Sequence, residues 1–368
     1  MSRFVGRTPP TLADVAELAG VSRQTVSNAV NNPDLLRADT LARVQGAIEQ
    51  LGYQPNRAAR SLRTRSSHLV GLRLPPVQDG TANALVDRFV HSLVETAGDA
   101  GYNVILFTGD PTDPLAGYDD LLRSTAVDAF ILTDTYLGNP QAAWLQSRRA
   151  PFVSFGRPWG NSEARHPWVD VDCAYGAELA TAHLIEQGHT RIAWIGWRKD
   201  SLLGEERRSG WTHAMRSRGL STTGLASRVE DTVSSGRAAA MALLEEARPT
   251  AFVCASDTLA MGVIHALYER GLRTGDDIAI TGFDDSQVAQ TVPPGITSVR
   301  QPLEEVAVEL VKALEGLLAM PSFVGPGVML NPTLSVRGSS RRSAPSAAQA
   351  PIAPPVAPLG EPSAPPYV

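Results

Sequence analysis

The stretch Thr11–Val30, TLADVAELAGVSRQTVSNAV, constrains this chain more than any other. Leu12, Val15, Ala16 and Ala19 recur at the spacing of one helical face. Thr11 stands at an N-cap, where its hydroxyl can satisfy a backbone N–H that the first turn leaves unpaired. Gly20 follows, and a residue without a Cβ enters the left-handed region at no steric cost. Ser22 is placed to cap a second helix whose inner face is Val26, Ala29 and Val30. Ala16 is small where the helices cross, and Val26 fills the space between them. This spacing predicts a helix-turn-helix.

The outer face of the second helix carries Arg23, Gln24, Ser27 and Asn28, side chains that can form paired hydrogen bonds with base edges in a major groove. Thr11, Ser22, Thr25 and Asn31 complete the expected DNA-facing set. Leu36, Leu41, Val44, Ile48 and Leu51 form the stripe of a third helix closed by Gly52. Asn56, after Pro55, is placed to cap a short helix from Arg57 to Leu62. Isolated helices below ~12–15 residues rarely persist in water, so this one needs a partner.

These residues resemble the lac repressor family of transcription regulators. The resemblance is carried by Thr11-Leu-Ala-Asp-Val-Ala, Ala19-Gly-Val-Ser, Thr25-Val-Ser, Gly52-Tyr-Gln-Pro-Asn and Ala59-Arg-Ser-Leu62, in the family's order. It implies a hinge helix, holding Asn56 and Ala59, that pairs with its dimer mate in the minor groove. Leu62 would then wedge between base pairs, unstacking a step and bending the duplex.

Net charge is −5 over 368 residues, which taken alone disfavours nucleic acid, but the distribution reverses that reading. Residues 1–65 hold nine arginines against five carboxylates, +4, which leaves −9 for the remainder. A basic head on an acidic body suits a protein that meets phosphate at one end. Two distant cysteines, Cys173 and Cys254, argue against a disulfide scaffold or a cysteine-rich zinc site. No apolar run reaches the ~20 residues of a membrane span. The first residues lack a signal-peptide stretch, so the expected location is the cytoplasm.

From His68 the texture becomes alternating strands and helices. Short apolar runs at 69–74, 102–107, 128–132 and 152–155 alternate with amphipathic stretches at 84–100, 118–123 and 141–149. The pattern restarts after Trp168–Asp172, with helices expected at 175–187, 206–218, 234–247 and 259–270, and strands at 191–195, 251–254 and 278–281. Two such halves predict an α/β body with parallel sheets covered on both faces and a cleft between lobes. Segments 297–300 and 302–318 are placed to cross back to the first half. The resemblance implies a periplasmic-binding-protein-like pair of lobes. The expected divisions are a head at 1–55, a hinge and linker at 56–67, a two-lobed effector-binding and dimerisation domain at 68–338, and a disordered Pro/Ala-rich tail at 339–368.

Ligands of open α/β sheets bind beyond the carboxyl ends of the strands. Matching the family places Arg207 and Asp257 at effector positions, with Arg157 and Gln301 also facing the cleft. An arginine fork and a carboxylate suit a polyhydroxylated ligand, with Phe155, Trp159 or Trp197 to stack on a sugar face. An Arg207–Asp257 ion pair is the plainer alternative. Asp284 and Asp285 read as helix caps ahead of ligand contacts, and His183 and His189 as capping or solvent-facing. Where relatives carry Asn-Pro-Phe, this chain has Asn83-Ala84-Leu85, a departure in the first lobe.

The chain is therefore expected to be a homodimeric, sequence-specific DNA-binding regulator, a repressor, that reads a near-palindromic operator and is controlled by a small-molecule effector. A sugar is the leading effector and a nucleobase the alternative, with no cofactor or metal. An enzyme is disfavoured: no Gly-x-Gly-x-x-Gly follows the first strand, and no phosphate loop or Gly-x-Ser-x-Gly elbow is present. The adjacent Asp284 and Asp285 do not match glycosidase carboxylates, which lie ~5–9.5 Å apart across the bond. A transport-type sugar-binding protein is disfavoured by the DNA-binding head.

Overall fold

The computed structural model describes residues 10–54, 66–74, 84–109, 113–124, 126–133, 135–161, 164–320, 325 and 327–341. The hinge residues Asn56, Ala59 and Leu62, the loop before Ala84 and the tail from 342 onward lie outside the described residues.

The head begins with α1 (Leu12–Ala19), entered through a capping box between Thr11 and Asp14. The Asp14 carboxylate accepts the Thr11 backbone N–H at 2.7 Å and its hydroxyl at 2.8 Å. These bonds hold the Asp14 carboxyl below its usual range. Gly20 ends the helix at φ 64°, while Val21 N–H closes back on Ala16 O at 3.0 Å. Helix α2 (Arg23–Asn31) is capped by Ser22, whose Oγ accepts from Thr25 N–H at 3.1 Å. After a 3₁₀ turn, α3 (Ala38–Leu51) ends at Gly52 in the left-handed region. Val15, Ala16, Ala19, Val26, Ala29, Val44 and Ala47 form the buried core; Val30 is only half-buried.

In the body, β1 (Leu69–Leu74), α4 (Ala84–Asp99), β2 (Asn103–Thr108), α5 (Ala116–Arg123), β3 (Ala129–Leu132), α6 (Pro140–Ser147), β4 (Phe152–Phe155) and β5 (Trp168–Val171) build the first lobe. The second lobe follows as α7 (Cys173–Glu186), β6 (Ile192–Trp197), α8 (Leu202–Arg216), β7 (Ala226–Val229), α9 (Val233–Glu246), β8 (Ala251–Cys254), α10 (Asp257–Glu269), β9 (Ala279–Phe283), α11 (Gln287–Thr291) and β10 (Thr297–Arg300). Then come α12 (Leu303–Ala319), β11 (Val328–Leu330) and β12 (Thr333–Ser335).

Two six-stranded sheets result, in the orders β11-β5-β4-β3-β1-β2 and β12-β10-β9-β8-β6-β7. The pairings are parallel except for β12 against β10. The inner strands β3, β8 and β9 are buried throughout, as expected when helices cover both faces, whereas the edge strand β2 has no fully buried residue. Trp194, Trp211 and Phe252 anchor the second lobe; Phe89 and Leu93 lie in the first lobe's core, where α12 also packs.

The structure departs from three of the expectations. Segment 297–300 does not cross back: β10 pairs with β9 in the second sheet, and it is α12 and β11 that return to the first lobe. Helix α8 starts a turn earlier than its apolar spacing suggests, because Ser201 caps it by accepting from Gly204 N–H. The tail does not begin at Ser339. Ser339 and Ser340 are buried, with the Ser339 hydroxyl donating to Ile280 O at 2.6 Å and accepting Thr297 N–H at 2.8 Å. A serine-rich composition suggests a solvated tail, but inside the second lobe the Ser339 hydroxyl satisfies backbone groups and the Ser340 hydroxyl bonds the side chains of His183 and Thr297.

Candidate functional site

The head presents its polar face on α2. Arg23 and Gln24 are exposed, while Thr25, Ser27, Asn28 and Asn31 are half-buried. Gln24 Nε2 donates to Asn28 Oδ1 at 3.0 Å, one turn along, so the two amides are pre-aligned. Asn31 Nδ2 donates to Ser27 O at 2.6 Å. The Ser22 hydroxyl is engaged with Thr25, at 2.9 Å from its Oγ1, as part of the cap. These residues form one continuous face, and Thr11 lies in the separate cap of α1.

In the body, polar side chains converge beyond the carboxyl ends of β4, β6, β8 and β9. Arg207, in α8, is 1% exposed. Its Nη1 donates to Ala255 O at 2.5 Å and its Nη2 to Asp284 Oδ1 at 3.2 Å. The guanidinium lies 3.7 Å from the Phe283 ring centre and 4.8 Å from that of Trp197. Gln301 Nε2 donates to the same Asp284 oxygen at 2.7 Å. Asp284 itself sits at φ 96°, a conformation that a residue with a Cβ rarely adopts and that tends to mark functional sites.

Asp257 does not join this group. It is 4% exposed, with Oδ1 accepting from Ser298 Oγ at 2.6 Å and Oδ2 from Ser286 N–H at 2.7 Å. Burial pushes its carboxyl up to about 7 despite those donors. It clasps the turn after β9, and Asp284 takes the place beside Arg207. Neither Asp284 nor Asp285 is the N-cap of α11, a position held by Ser286. Asp285 instead pairs with Arg337 at 2.6 Å and accepts from Ser335 Oγ at 3.1 Å.

Arg157 belongs to the first lobe and Glu206 to the second. Arg157 Nε meets Asp170 Oδ2 at 2.6 Å, and its Nη2 meets Glu206 Oε1 at 2.6 Å, so one guanidinium bridges the lobes. Arg88 makes a second bridge, its Nη1 donating to Asp284 O at 3.3 Å. Of the aromatics, Phe155 is spent against Phe89 at 4.9 Å, and Trp159 lies 4.9 Å from the Arg157 guanidinium. His183 and His189 are structural: their ring nitrogens bond Ser340 Oγ at 2.8 Å and Thr250 Oγ1 at 3.0 Å. Sequence reasoning singled out Arg157, Arg207 and Gln301 but set Asp284 aside and overlooked Arg88, Asp170 and the bridging role of Glu206. Only the strained backbone at Asp284 betrays that residue, and backbone angles are not written in residue types.

A helix-turn-helix head joined to a two-lobed α/β body with polar side chains gathered between the lobes defines a DNA-binding transcription regulator controlled by an effector. Residues 11–56 match the family described as bacterial regulatory proteins, lacI family, and residues 181–340 match the periplasmic binding protein-like domain. The HTH-type transcriptional regulator CelR of Thermobifida fusca is 36% identical over 317 residues, covering 84% of this chain and 92% of that protein. The chain belongs to the lacI family of bacterial regulators. A solved complex of CelR with cellobiose aligns at TM-score 0.69 and 32% identity, covering 90% of this chain and 99% of that one. The lac repressor dimer bound to operator and the anti-inducer ONPF aligns at 0.76 and 26%, covering 91% and 100%. Among the described residues, no helix is long and apolar enough to cross a membrane.

Proposed function

We propose that this protein is a homodimeric, cytoplasmic repressor whose operator binding is controlled by a sugar held between the lobes. The reading rests on the Arg207–Asp284–Gln301 cluster, a guanidinium, carboxylate and amide converging where strand ends meet beside the interlobe pair of Arg157 and Glu206. Guanidinium and carboxylate together offer donors and acceptors to vicinal hydroxyls, and Trp197 supplies an apolar wall. Arg157, Arg207, Gln301 and Asp284 contact the effector; Asp257 shapes the wall behind them.

Head 1–55 reads bases through Arg23, Gln24, Ser27 and Asn28, and the hinge within 56–67 supplies Asn56, Ala59 and the Leu62 wedge. Two-fold protein symmetry calls for a near-palindromic site. The sugar must bind one lobe arrangement better than the other, since equal affinity shifts nothing. That CelR was solved with cellobiose makes cellobiose the first probe. Thermal shift with cellobiose, other sugars and nucleobases, followed by footprinting on random-sequence DNA with and without the hit, tests the reading. A ligand that binds only the folded state raises apparent stability. A nucleobase as the sole hit removes the sugar; no preference for any palindrome at moderate salt removes the repressor.

A further inference from the structure

The bridge between the lobes is unequal in charge. Arg157 is anchored in the first lobe, where both its backbone N–H and Nε donate to Asp170 Oδ2, at 3.1 and 2.6 Å. Its remaining reach goes to Glu206 Oε1, at 2.6 Å, on α8 of the second lobe. Glu206 Oε2 is buried and has no hydrogen-bond partner among the described residues. One guanidinium thus serves two carboxylates, and Asp172 adds a third negative charge nearby. Arg207, next along the helix, is committed to Asp284 and Ala255 O, and Met329 offers Arg157 only a thioether at 3.7 Å.

We propose that Glu206 senses what occupies the cleft: its charge biases the lobes toward opening, and a hydrogen-bond donor on its free oxygen closes them. The inference rests on the cleft being the control site. A buried carboxylate with one oxygen unsatisfied loses more hydration than a single shared ion pair returns. Opening gives that oxygen back to water; a ligand hydroxyl or a proton satisfies it in place.

A proton is the simplest such donor. Burial pushes the Glu206 carboxyl from 4.5 up to about 7, against the pull of Arg157 and with the repulsion of Asp170 and Asp172. Opening to solvent returns it toward 4.5. The closed form therefore holds the proton more tightly, and its advantage is complete below about 4.5 and lost as pH rises through about 7. From pH 8 to pH 6 the closed-to-open ratio rises about tenfold.

The test uses the full chain with Ser147→Cys and Ser217→Cys, both exposed, one in each lobe, labelled as an energy-transfer pair. Cys173 and Cys254 are buried and resist labelling. Without any sugar, transfer should report the tenfold shift toward closure on acidification. Glu206→Gln, the neutral isostere, should be more closed at pH 8 than the parent is even at pH 6, and flat between them. Asp257→Asn, which removes another carboxyl that burial pushes up to about 7, should keep the response. A flat parent, a response of opposite sign, or an undiminished response in Glu206→Gln overturns the proposal. Because no sugar enters, this outcome and the identity of the effector are decided separately.

Discussion

Removing the Asp284 carboxylate should unbalance the second lobe. Arg207 is 1% exposed, and Asp284 is its only carboxylate partner among the described residues. Asp284→Ala leaves a buried guanidinium with Ala255 O and two aromatic faces but no counter-charge. Breaking a buried pair from one side costs about 3–5 kcal/mol, and the 18% exposure of the Asp284 side chain argues for the lower end. A loss of about 3 kcal/mol corresponds to roughly 6–12 °C in melting temperature for a body of this size. Arg207→Met should cost less, about 1–2 kcal/mol, because Asp284 keeps Gln301 and some water while Ala255 O loses a donor. The double variant should sit near Arg207→Met, giving a coupling of about 3 kcal/mol. Urea unfolding of the four proteins, followed by tryptophan fluorescence, reads the cycle. A cost below about 0.5 kcal/mol for Asp284→Ala, or strict additivity, would refute the claim that these two charges hold each other.

Other consequences are as direct. A Cβ at Gly210 would lie 1.9 Å from Ala174 O, so Gly210→Ala must part α7 from α8 and should cost at least about 2 kcal/mol in chemical denaturation. Gly20→Ala meets open space but keeps a φ of 64°, and the head should lose about 1 kcal/mol, read by melting the isolated transition of its helices. Gln24→Ala or Asn28→Ala should relax base preference by about 1–3 kcal/mol per lost bidentate contact in a selection from random sites, whereas Leu62→Ala should weaken specific binding far more than non-specific. Asp257 has a carboxyl raised by burial to about 7, so the folded body gains stability as pH falls from about 7 and loses it as pH rises through that value. Asp257→Asn should flatten that part of the pH–stability curve.

Local chemistry carried much of the fold in plain view. Helical spacing, the Thr11 and Ser22 caps and the glycine at φ 64° act over a few residues, so the head could be read from the chain alone. The alternation of short apolar runs with amphipathic helices likewise announced covered parallel sheets, because period and burial are linked wherever helices lie on both faces. The edge strand β7 and the short β11 and β12 escaped notice, since three or four residues show no period to read.

What the tertiary structure alone decided is which groups meet. Arg207 and Asp284 are 77 residues apart, and Asp257 had an equal claim until the turn after β9 turned Asp284 toward the arginine and gave Asp257 to Ser298 and Ser286. The same holds for Arg157 and Glu206, 49 residues apart in different lobes, and for Ser339 and Ser340, folded beneath β9 and β10 despite a tail-like composition. Short-range preferences follow from a residue's own backbone and nearest neighbours. Which charges pair depends on where three separate chain crossings bring the lobes together, and that information is held by the whole packing rather than by any one stretch.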